Sequence, residues 1–371
     1  MARIDIDHVV KHYVDDRIVQ TNTGRPALDD VSLQVADGET ISIVGSSGCG
    51  KSTLLKVVAG IEDPDQGRVR YDGVDVTGVR PQERGVGMVF QDYALYPSMK
   101  GKGNLAYYFD VHDSSKEEAE QRVRETAERM GVGFDLLLGQ VPTTLSGGEQ
   151  QRVAIARCIV RDPPLFLMDE PICNLDAKLR EQTRVEIRKL LRKFKITTLY
   201  VTHDQQEAIF MGDRIVVMRD GRIEQVGTFD DLYYTPASRF VATFIGSPPI
   251  SVLPAAVTDG RLQLAGASWD LPSPVRAAVP DGPVDLAIRP EGWRLDEADG
   301  LAVSVRHIER LPTERAAFAY GTVAGRNVTV ILPVDHPERD QLTATPDLDR
   351  AYFFEPDGER PLHTPGVLEL F

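Results

Sequence analysis

Short apolar runs alternate with amphipathic stretches over most of the first 240 residues. Residues 40–44 and 197–202 are rich in β-branched side chains, and residues 165–168 are four apolar positions in a row, as in strands covered on both faces. Helical spacing follows at residues 52–58, and an apolar stripe of the same period runs through residues 153–160. This alternation predicts an α/β fold built on a parallel sheet.

The pattern changes twice along the chain. Residues 115–130 are charged with helical spacing, and with the helix that follows residue 146 they predict a helical subdomain at about 92–158. After residue 246, Gly and Pro recur, and short alternating runs such as 303–308 and 327–332 predict strands. We therefore expect two domains, one at 1–240 that includes the helical subdomain, and an all-β, OB-like barrel with a regulatory role at 246–371.

A glycine-rich loop links the first of these strands to a helix. Residues 45–53 match G-x-x-x-x-G-K-[ST], whose glycines let backbone N–H groups point at a nucleotide's β-phosphate. We expect Lys51 to reach the β- and γ-phosphates and the Ser52 hydroxyl to ligate Mg²⁺. A plain Gly/Ser turn is the alternative, but strand and helix are both in place. The first domain is thus predicted to be a phosphate-loop NTPase core. Its ATP-contacting loop consists of Gly45, Ser46, Ser47, Gly48, Cys49, Gly50, Lys51, Ser52 and Thr53.

Two carboxylates follow the apolar run at 165–168. Ligands of parallel sheets gather at the carboxyl ends of the strands, so Asp169 is expected to hold Mg²⁺ through water. Glu170 is expected to orient or deprotonate the attacking water. A solvated acidic pair at a strand end is the alternative. If the prediction holds, the site is equipped to hydrolyse ATP as well as to bind it.

A second predicted helix, after residue 146, also begins with glycines, which have no side chains. Ser146 and Glu149 form an S-x-x-E capping box, but Gly147 and Gly148 between them each cost about 1 kcal/mol relative to Ala in a helix. Backbone without side chains suits close approach to a phosphate. Because one mononucleotide site does not need two such helix starts, we expect a head-to-tail homodimer in which this segment closes on the partner's nucleotide. Ordinary capping is the alternative.

With these motifs in this order, the chain resembles the ATPase subunit of ATP-binding cassette (ABC) transporters, densely over residues 3–245. The resemblance implies a site with ATP and Mg²⁺ bound between two subunits. It assigns catalytic roles to Glu170, His203, Lys51 and Gln91, and metal contacts to Ser52, Gln91 and Asp169. It adds Tyr13, Ser146, Gly147, Gly148, Gln150 and Asp176 to the residues that contact the nucleotide.

Three features of the chain depart from the family's usual pattern. Tyr13 matches the aromatic residue that stacks on adenine, but a longer polar insertion follows at 14–26, so a packed strand-end residue is the alternative. Cys173 stands where relatives usually have Ser, and we expect function to be retained. Gly101 and Gly103 are expected to loosen a segment beside the surface that receives the membrane partners.

The C-terminal part resembles the barrel of importer ATPases for sugars and related solutes. Residues 288–291 read Ile-Arg-Pro-Glu, as in that group, and residues 352–356 resemble its closing strand. The link at 244–249 is most similar to the carbohydrate importers of maltose and glycerol-3-phosphate type. Importers of polyamines, sulfate or iron share this architecture and stay open as alternatives. A strand end followed by a turn would also account for residues 288–291.

Composition narrows the partners. The formal charge is 42 − 56 = −14 without a basic run, which argues against nucleic acid as a partner. The three cysteines are widely separated, and no apolar run approaches the length of a membrane span. Together with the family resemblance, this predicts a peripheral protein at the cytoplasmic face of the membrane. The resemblance implies as partners a second copy of the chain, transmembrane permease subunits and, indirectly, a periplasmic or lipid-anchored solute-binding protein.

Two other classes of protein compete with the importer ATPase. A soluble cassette ATPase of translation or DNA repair usually has two cassettes in one chain or a long coiled coil, and this chain has one cassette and a predicted barrel. A regulatory protein with a decayed site is disfavoured because Lys51, Asp169, Glu170 and His203 are all present.

Overall fold

A computed structural model describes residues 2–13, 25–112, 114–295 and 299–366. Two compact units divide the chain, Met1–Val226 and Gly227–Phe371. The division falls before the boundary expected at 240, because two helices in between pack on the second unit. Arg289 of the Ile-Arg-Pro-Glu stretch is buried, donates to the Tyr233 carbonyl at 3.0 Å and stacks over that tyrosine's ring. Most of the 14–26 insertion, residues 14–24, lies outside the described residues.

The first unit contains strands β1–β10 and helices α1–α8. The strands are β1 (Ile4–Lys11), β2 (Leu28–Val35), β3 (Thr40–Gly45), β4 (Gln66–Tyr71), β5 (Val74–Asp75), β6 (Gly87–Val89), β7 (Leu165–Asp169), β8 (Thr197–Val201), β9 (Arg214–Arg219) and β10 (Arg222–Gly227). The helices are α1 (Lys51–Ala59), α2 (Pro81–Arg84), α3 (Gly101–Val111), α4 (Lys116–Met130), α5 (Phe134–Leu138), α6 (Gly147–Ile159), α7 (Ala177–Phe194) and α8 (Gln205–Met211).

Two sheets organise this unit. The larger one has the strand order β10-β9-β3-β8-β7-β6, with parallel pairing from β9 through β6. All residues of β3 and β8 are buried, as their apolar sequences predicted for strands covered on both faces. The smaller sheet, β2-β1-β4-β5, is antiparallel. The predicted α/β core is therefore confirmed.

Helices α3 to α6 form the predicted helical subdomain around a shared apolar core that includes Leu105, Phe109, Val123 and Val153. Gly101 does not loosen this region, contrary to the expectation. It is the buried first residue of α3, and a Cβ there would lie 2.4 Å from the Leu137 carbonyl oxygen. The glycine is required by close packing of α3 against α5.

The second unit contains mainly strands. They are β11 (Ser251–Thr258), β12 (Arg261–Leu264), β13 (Ala267–Asp270), β14 (Gly282–Ile288), β15 (Trp293–Leu295), β16 (Leu301–Leu311), β17 (Ala316–Val323), β18 (Arg326–Pro333), β19 (Gln341–Pro346), β20 (Tyr352–Phe354) and β21 (Pro361–His363). The accompanying helices are α9 (Phe229–Tyr234), α10 (Arg239–Phe244) and α11 (Ser273–Ala278), of which α11 was not anticipated from the sequence.

These strands form two sheets, ordered β13-β12-β11-β14-β20-β21 and β15-β19-β16-β17-β18. Side chains from both sheets share one apolar core, including Leu253, Leu286 and Val330. The Thr329 N–H on β18 donates to the Ser251 hydroxyl on β11 at 3.1 Å, which joins the sheets at one corner. The predicted strands at 303–308 and 327–332 are confirmed, and the curled pair of sheets is barrel-like.

None of the helices in the described ranges is both long and apolar enough to span a lipid bilayer.

Candidate nucleotide site

Four strands of the large sheet end at the same edge. In the parallel register, Ile43 of β3 and Asp169 of β7 both lie opposite Val201 of β8, and Val89 of β6 lies opposite Met168. The segments that follow these strands therefore emerge side by side. They carry the phosphate loop, the two carboxylates, His203 and Gln91, as the carboxyl-end rule for parallel sheets predicts.

The phosphate loop turns directly into α1. Gly50 precedes the helix with φ 107°, a left-handed conformation, and a Cβ there would lie 2.4 Å from the Ala27 carbonyl oxygen, so only glycine fits. The first intrahelical hydrogen bond runs from the Leu54 N–H to the Gly50 carbonyl at 2.9 Å. The N–H groups of residues 51–53 thus have no partner within the helix and can meet an anion.

Lys51 is folded onto its own loop. The side chain is 7% exposed, and Nζ donates to the carbonyls of Gly45 at 2.8 Å and Ser46 at 3.0 Å. The ammonium group is thus held beside the loop without an acidic partner among these contacts. Burial raises the pKa of the neighbouring Cys49 thiol although Lys51 opposes the rise, which agrees with Cys49 as a space-filling residue and not a nucleophile.

Ser52 and Asp169 meet across the edge of the sheet. The Ser52 hydroxyl donates to Asp169 Oδ1 at 3.1 Å. Burial raises the pKa of the Asp169 carboxyl, the hydrogen bond from Ser52 opposes the rise, and the charge of Glu170 adds to it. A half-buried carboxylate beside a hydroxyl supplies the hard oxygen donors that Mg²⁺ prefers. The two residues therefore fit the metal role expected for them.

Glu170 and His203 form a pair beside these oxygens. His203 Nδ1 lies 3.0 Å from Glu170 Oε2, with 64% of the histidine side chain and 27% of the glutamate side chain exposed. Glu170 has φ 47°, which is rare for a non-glycine residue, and its N–H donates to the Val201 carbonyl at 3.0 Å. Strained backbone of this kind is often found at functional sites. The geometry directs the carboxylate toward the imidazole at the open edge.

Gln91 is exposed just beyond β6. Its carbonyl accepts a hydrogen bond from the Asn174 side-chain amide at 3.0 Å, and its side chain hydrogen-bonds the Cys173 thiol. Asp176 lies two residues after Asn174 and caps α7 by accepting from the Leu179 N–H at 3.0 Å. The structure therefore connects the Gln91 segment to the 173–176 loop and gives Asp176 a structural role.

The predicted capping box at the start of α6 is present. The Ser146 hydroxyl accepts from the Glu149 N–H, and the Ser146 N–H donates to Glu149 Oε2 at 2.8 Å; this second bond is the main cause that lowers the pKa of Glu149. Gln150 is held nearby through a hydrogen bond to the Leu145 carbonyl at 3.1 Å. Ser146 itself is exposed.

The two glycines of this segment have a packing role that the sequence analysis did not recognise. A Cβ on Gly147 would lie 2.5 Å from Leu175 Cδ2, and one on buried Gly148 would lie 2.9 Å from Leu179 Cδ1 and 3.2 Å from the Thr183 hydroxyl. The start of α6 therefore packs closely on α7 within one chain. Close packing of α6 on α7 is therefore a further explanation for these glycines, beside approach to a phosphate and ordinary capping.

Comparison with known proteins identifies the family. A family profile described as ABC transporter matches residues 28–173. The sn-glycerol-3-phosphate import ATP-binding protein UgpC of Jannaschia sp. (strain CCS1) is 43% identical over 335 residues, covering 90% of this chain and 92% of that protein. Proteins of the same name from Paracoccus denitrificans (strain Pd 1222) and Ruegeria pomeroyi (strain ATCC 700808 / DSM 15171 / DSS-3) are 40% and 41% identical, each match covering 96% of this chain and 98% of the relative.

The chain belongs to the ABC transporter family. As an ATP-binding member of that family it is an ATPase. A solved ATP-binding cassette, described as a dimer in a post-hydrolysis state bound to ADP and Pi, is 32% identical, with a TM-score of 0.52. The match covers 61% of this chain and 98% of that one. The resemblance drawn from the motifs is thus confirmed at the level of family and fold.

Tyr13 lies at the margin of the described site. Its side chain is 44% exposed, and Lys11 Nζ lies 5.7 Å from the ring centroid. The exposed ring face is compatible with stacking on a base, which needs a flat π-surface. Tyr13 is not a fully packed strand-end residue.

Arg157 was missed by the sequence analysis. It lies on α6 and donates to the carbonyls of Ala94 at 2.5 Å and Tyr93 at 3.4 Å, just after Gln91. The ABC ATPase thus links α6 to the Gln91 segment within one chain. The only sequence signal was a charged residue inside an otherwise apolar helix stripe, which is a weak indication of a specific contact.

Proposed function

We propose that this chain is the ATP-hydrolysing subunit that energises a bacterial importer for sn-glycerol-3-phosphate or a related sugar-like solute. One observation carries the proposal: Lys51, the Ser52–Asp169 pair and the Glu170–His203 pair lie at one edge of a parallel sheet. The relatives that match over nearly the whole chain carry the name of sn-glycerol-3-phosphate import ATP-binding proteins, which supports the choice of solute class.

The residues divide the chemistry between them. Lys51 exchanges its loop carbonyls for the β- and γ-phosphates of ATP, where its charge stabilises the transferred group. Glu170 accepts the proton of the attacking water, and His203 holds the γ-phosphate and the carboxylate in register. Ser52, Asp169 and Gln91 would hold Mg²⁺, which supplies charge neutralisation at the phosphate oxygens.

Hydrolysis requires a second copy of the chain. Ser146, which caps α6, is exposed, and in the dimer it and the backbone that follows it close on the partner's γ-phosphate, with Asp176 beside the interface. The solved cassette that is dimeric and bound to ADP and Pi supports a homodimer. ATP binding closes the pair, and hydrolysis lets it open.

A groove on the first unit fits the membrane partners. It encloses about 610 Å³ between the sheet and the helical subdomain, and it is lined by aromatic and basic side chains that include Phe90, Tyr96, Tyr108, Arg157 and Arg161. We assign this groove to the transmembrane permease subunits, which in turn meet the solute-binding protein. The ATPase then works at the cytoplasmic face of the membrane, and its barrel-like unit serves as a regulatory domain.

Transport in cells tests the proposal. A strain that lacks the gene is supplied with the wild-type chain or with Glu170→Gln, and uptake of labelled sn-glycerol-3-phosphate, maltose, spermidine, sulfate and ferric iron is measured at equal expression. We expect only the wild-type chain to restore uptake, and only of sn-glycerol-3-phosphate or another sugar-like solute. Restored uptake of spermidine, sulfate or iron would move the proposal to that solute. If the deletion strain takes up all of these solutes as well as the parent strain does, a soluble, non-transport ATPase is favoured.

A further inference from the structure

A buried carboxylate lies directly behind the histidine of the site. Glu207 on α8 is 4% exposed, and its two oxygens accept hydrogen bonds from the hydroxyls of Tyr200 and Thr202, the latter at 3.0 Å. Tyr200 belongs to β8, and Thr202 immediately precedes His203. The Glu207 side chain thus joins the C-terminal end of β8 to α8 through hydrogen bonds.

The same hydrogen bonds continue around His203. The Thr202 hydroxyl, which donates to Glu207, also accepts from the Asp204 N–H at 3.0 Å. Asp204 in turn caps α8 by accepting from the Glu207 N–H at 3.1 Å. The Thr202 N–H is anchored on the Ile43 carbonyl of β3 at 3.2 Å. A closed ring of hydrogen bonds therefore fixes the backbone on both sides of His203.

We propose that Glu207 is a positioning residue for ATP hydrolysis. Through the ring of Thr202, Asp204 and Glu207, and through its hydrogen bond from Tyr200, it sets the place of the His203 imidazole at the γ-phosphate. The inference rests on the proposed function, because it needs His203 to act in hydrolysis. The imidazole is mostly exposed and contacts Glu170, so its own packing does not fix it. Its position depends on the backbone, and the ring holds that backbone.

Burying a carboxyl group between a strand and a helix costs desolvation free energy. Burial raises the pKa of Glu207, and the hydrogen bonds from Tyr200 and Thr202 oppose the rise. A buried acid is tolerated only when hydrogen bonds compensate it, and apolar residues often pack such places as well or better. The two carboxyl oxygens of Glu207 do, however, accept one hydroxyl hydrogen each, whereas a glutamine side chain has a single acceptor oxygen. The observed arrangement therefore uses two acceptor oxygens, which Glu supplies and Gln does not.

Ring variants of the full-length chain provide the test. Glu207→Gln and Tyr200→Phe are compared with wild type for the ATPase kcat, the Kd for ATP and the Tm. Glu39→Gln is the matched control, since Glu39 also joins two segments through hydrogen bonds, to Arg214 at 2.6 Å, but precedes β3 at the opposite edge of the sheet. We expect the ring variants to lose about tenfold in kcat with unchanged Kd, because each variant loses a hydrogen bond that holds the backbone beside His203. Glu39→Gln is expected to lower Tm without changing kcat.

A double-mutant cycle with His203→Ala separates positioning from simple stabilisation. If Glu207 acts through His203, Glu207→Gln has no further effect on single-turnover hydrolysis once His203 is Ala. Multiplicative losses in the double variant, or unchanged kcat in both ring variants, would overturn the inference. Wild-type activity of His203→Ala alone would instead refute the role of His203 in the proposed function. If Glu207→Gln does not fold, Tyr200→Phe, which removes one bond, decides the question in the same cycle.

Discussion

Gly148→Ala separates the packing role of the glycine, which is measured as stability, from its proposed role in catalysis, which is measured as ATPase rate. The new methyl would lie 2.9 Å from Leu179 Cδ1 and 3.2 Å from the Thr183 hydroxyl. Overpacking of this kind costs about 1–3 kcal/mol, while Ala gains about 1 kcal/mol over Gly in helix propensity. The net loss is about 1 kcal/mol, which lowers Tm by about 2–4 °C for a unit of this size. This expectation replaces a stabilisation that propensity alone would predict.

A compensating variant isolates the catalytic effect. Leu179→Ala removes the atoms closest to the new methyl, and it leaves the Leu179 N–H that Asp176 caps. The single variants, the double variant Gly148→Ala/Leu179→Ala and wild type are compared for Tm, ATP binding at protein concentrations below dimerisation, and ATPase rate above it. We expect the double variant to lose less stability than the two single losses combined, because relieved contacts couple the sites.

The ATPase rate then decides what the glycine is for. If the Gly148 backbone must approach the partner's γ-phosphate, the double variant stays inactive although its internal packing is relieved and monomeric ATP binding persists. If the glycine only lets α6 pack on α7, the double variant has the ATPase rate of Leu179→Ala alone. That second result would refute the phosphate role of Gly148.

Three further substitutions test other parts of the structure. Lys51→Ala is expected to abolish measurable ATP binding in a fluorescence titration, because the phosphate-facing charge is lost; retained affinity would contradict its role. Asp169→Asn should abolish Mg²⁺-dependent ATPase activity yet raise Tm at pH 7. Because the pKa of Asp169 is raised in the folded protein, the ionised carboxylate destabilises the fold at pH values above that pKa. The gain in Tm from Asp169→Asn should therefore vanish as the pH falls through the folded pKa toward the unfolded value of 3.8. An equal gain in Tm at all pH values would argue against this cause. Gly101→Ala should lose about 1–3 kcal/mol of unfolding free energy in urea, because its Cβ would meet the Leu137 backbone oxygen. Gly103→Ala, whose Cβ would lie 3.4 Å from Met99 Cβ, is the matched control and should be neutral or stabilising.

The sequence was most informative where local pattern and sheet geometry agree. Strand, glycine loop and helix at residues 40–58 predict the phosphate loop, and the carboxyl-end rule then brings Asp169, Glu170 and His203 to the same edge. The Ser146–Glu149 capping box was also readable because its partners are three residues apart. Each of these features needs only local contacts or the order of parallel strands.

The features that were missed depend on contacts between distant segments. Gly101 packs on the Leu137 carbonyl and Gly148 on Leu179, and nothing in a window around either glycine distinguishes close packing from flexibility or ligand approach. Arg289 is similar, because its partner Tyr233 lies before the boundary expected between the domains. The ring around His203 joins neighbours in sequence, but burial of Glu207 decides its importance, and burial follows from the tertiary fold.

The central claim is that ATP is hydrolysed between two copies of the chain, with Lys51 and Glu170 from one copy and the start of α6 from the other. Its most direct test is the ATPase rate per subunit of the wild-type protein, measured with Mg²⁺ across the concentration range of dimerisation. Light scattering of Glu170→Gln with ATP fixes that range, since this variant should accumulate as an ATP-bound dimer. The account predicts a rate per subunit that rises with the fraction of dimer. A rate that stays constant from monomer to dimer would contradict it.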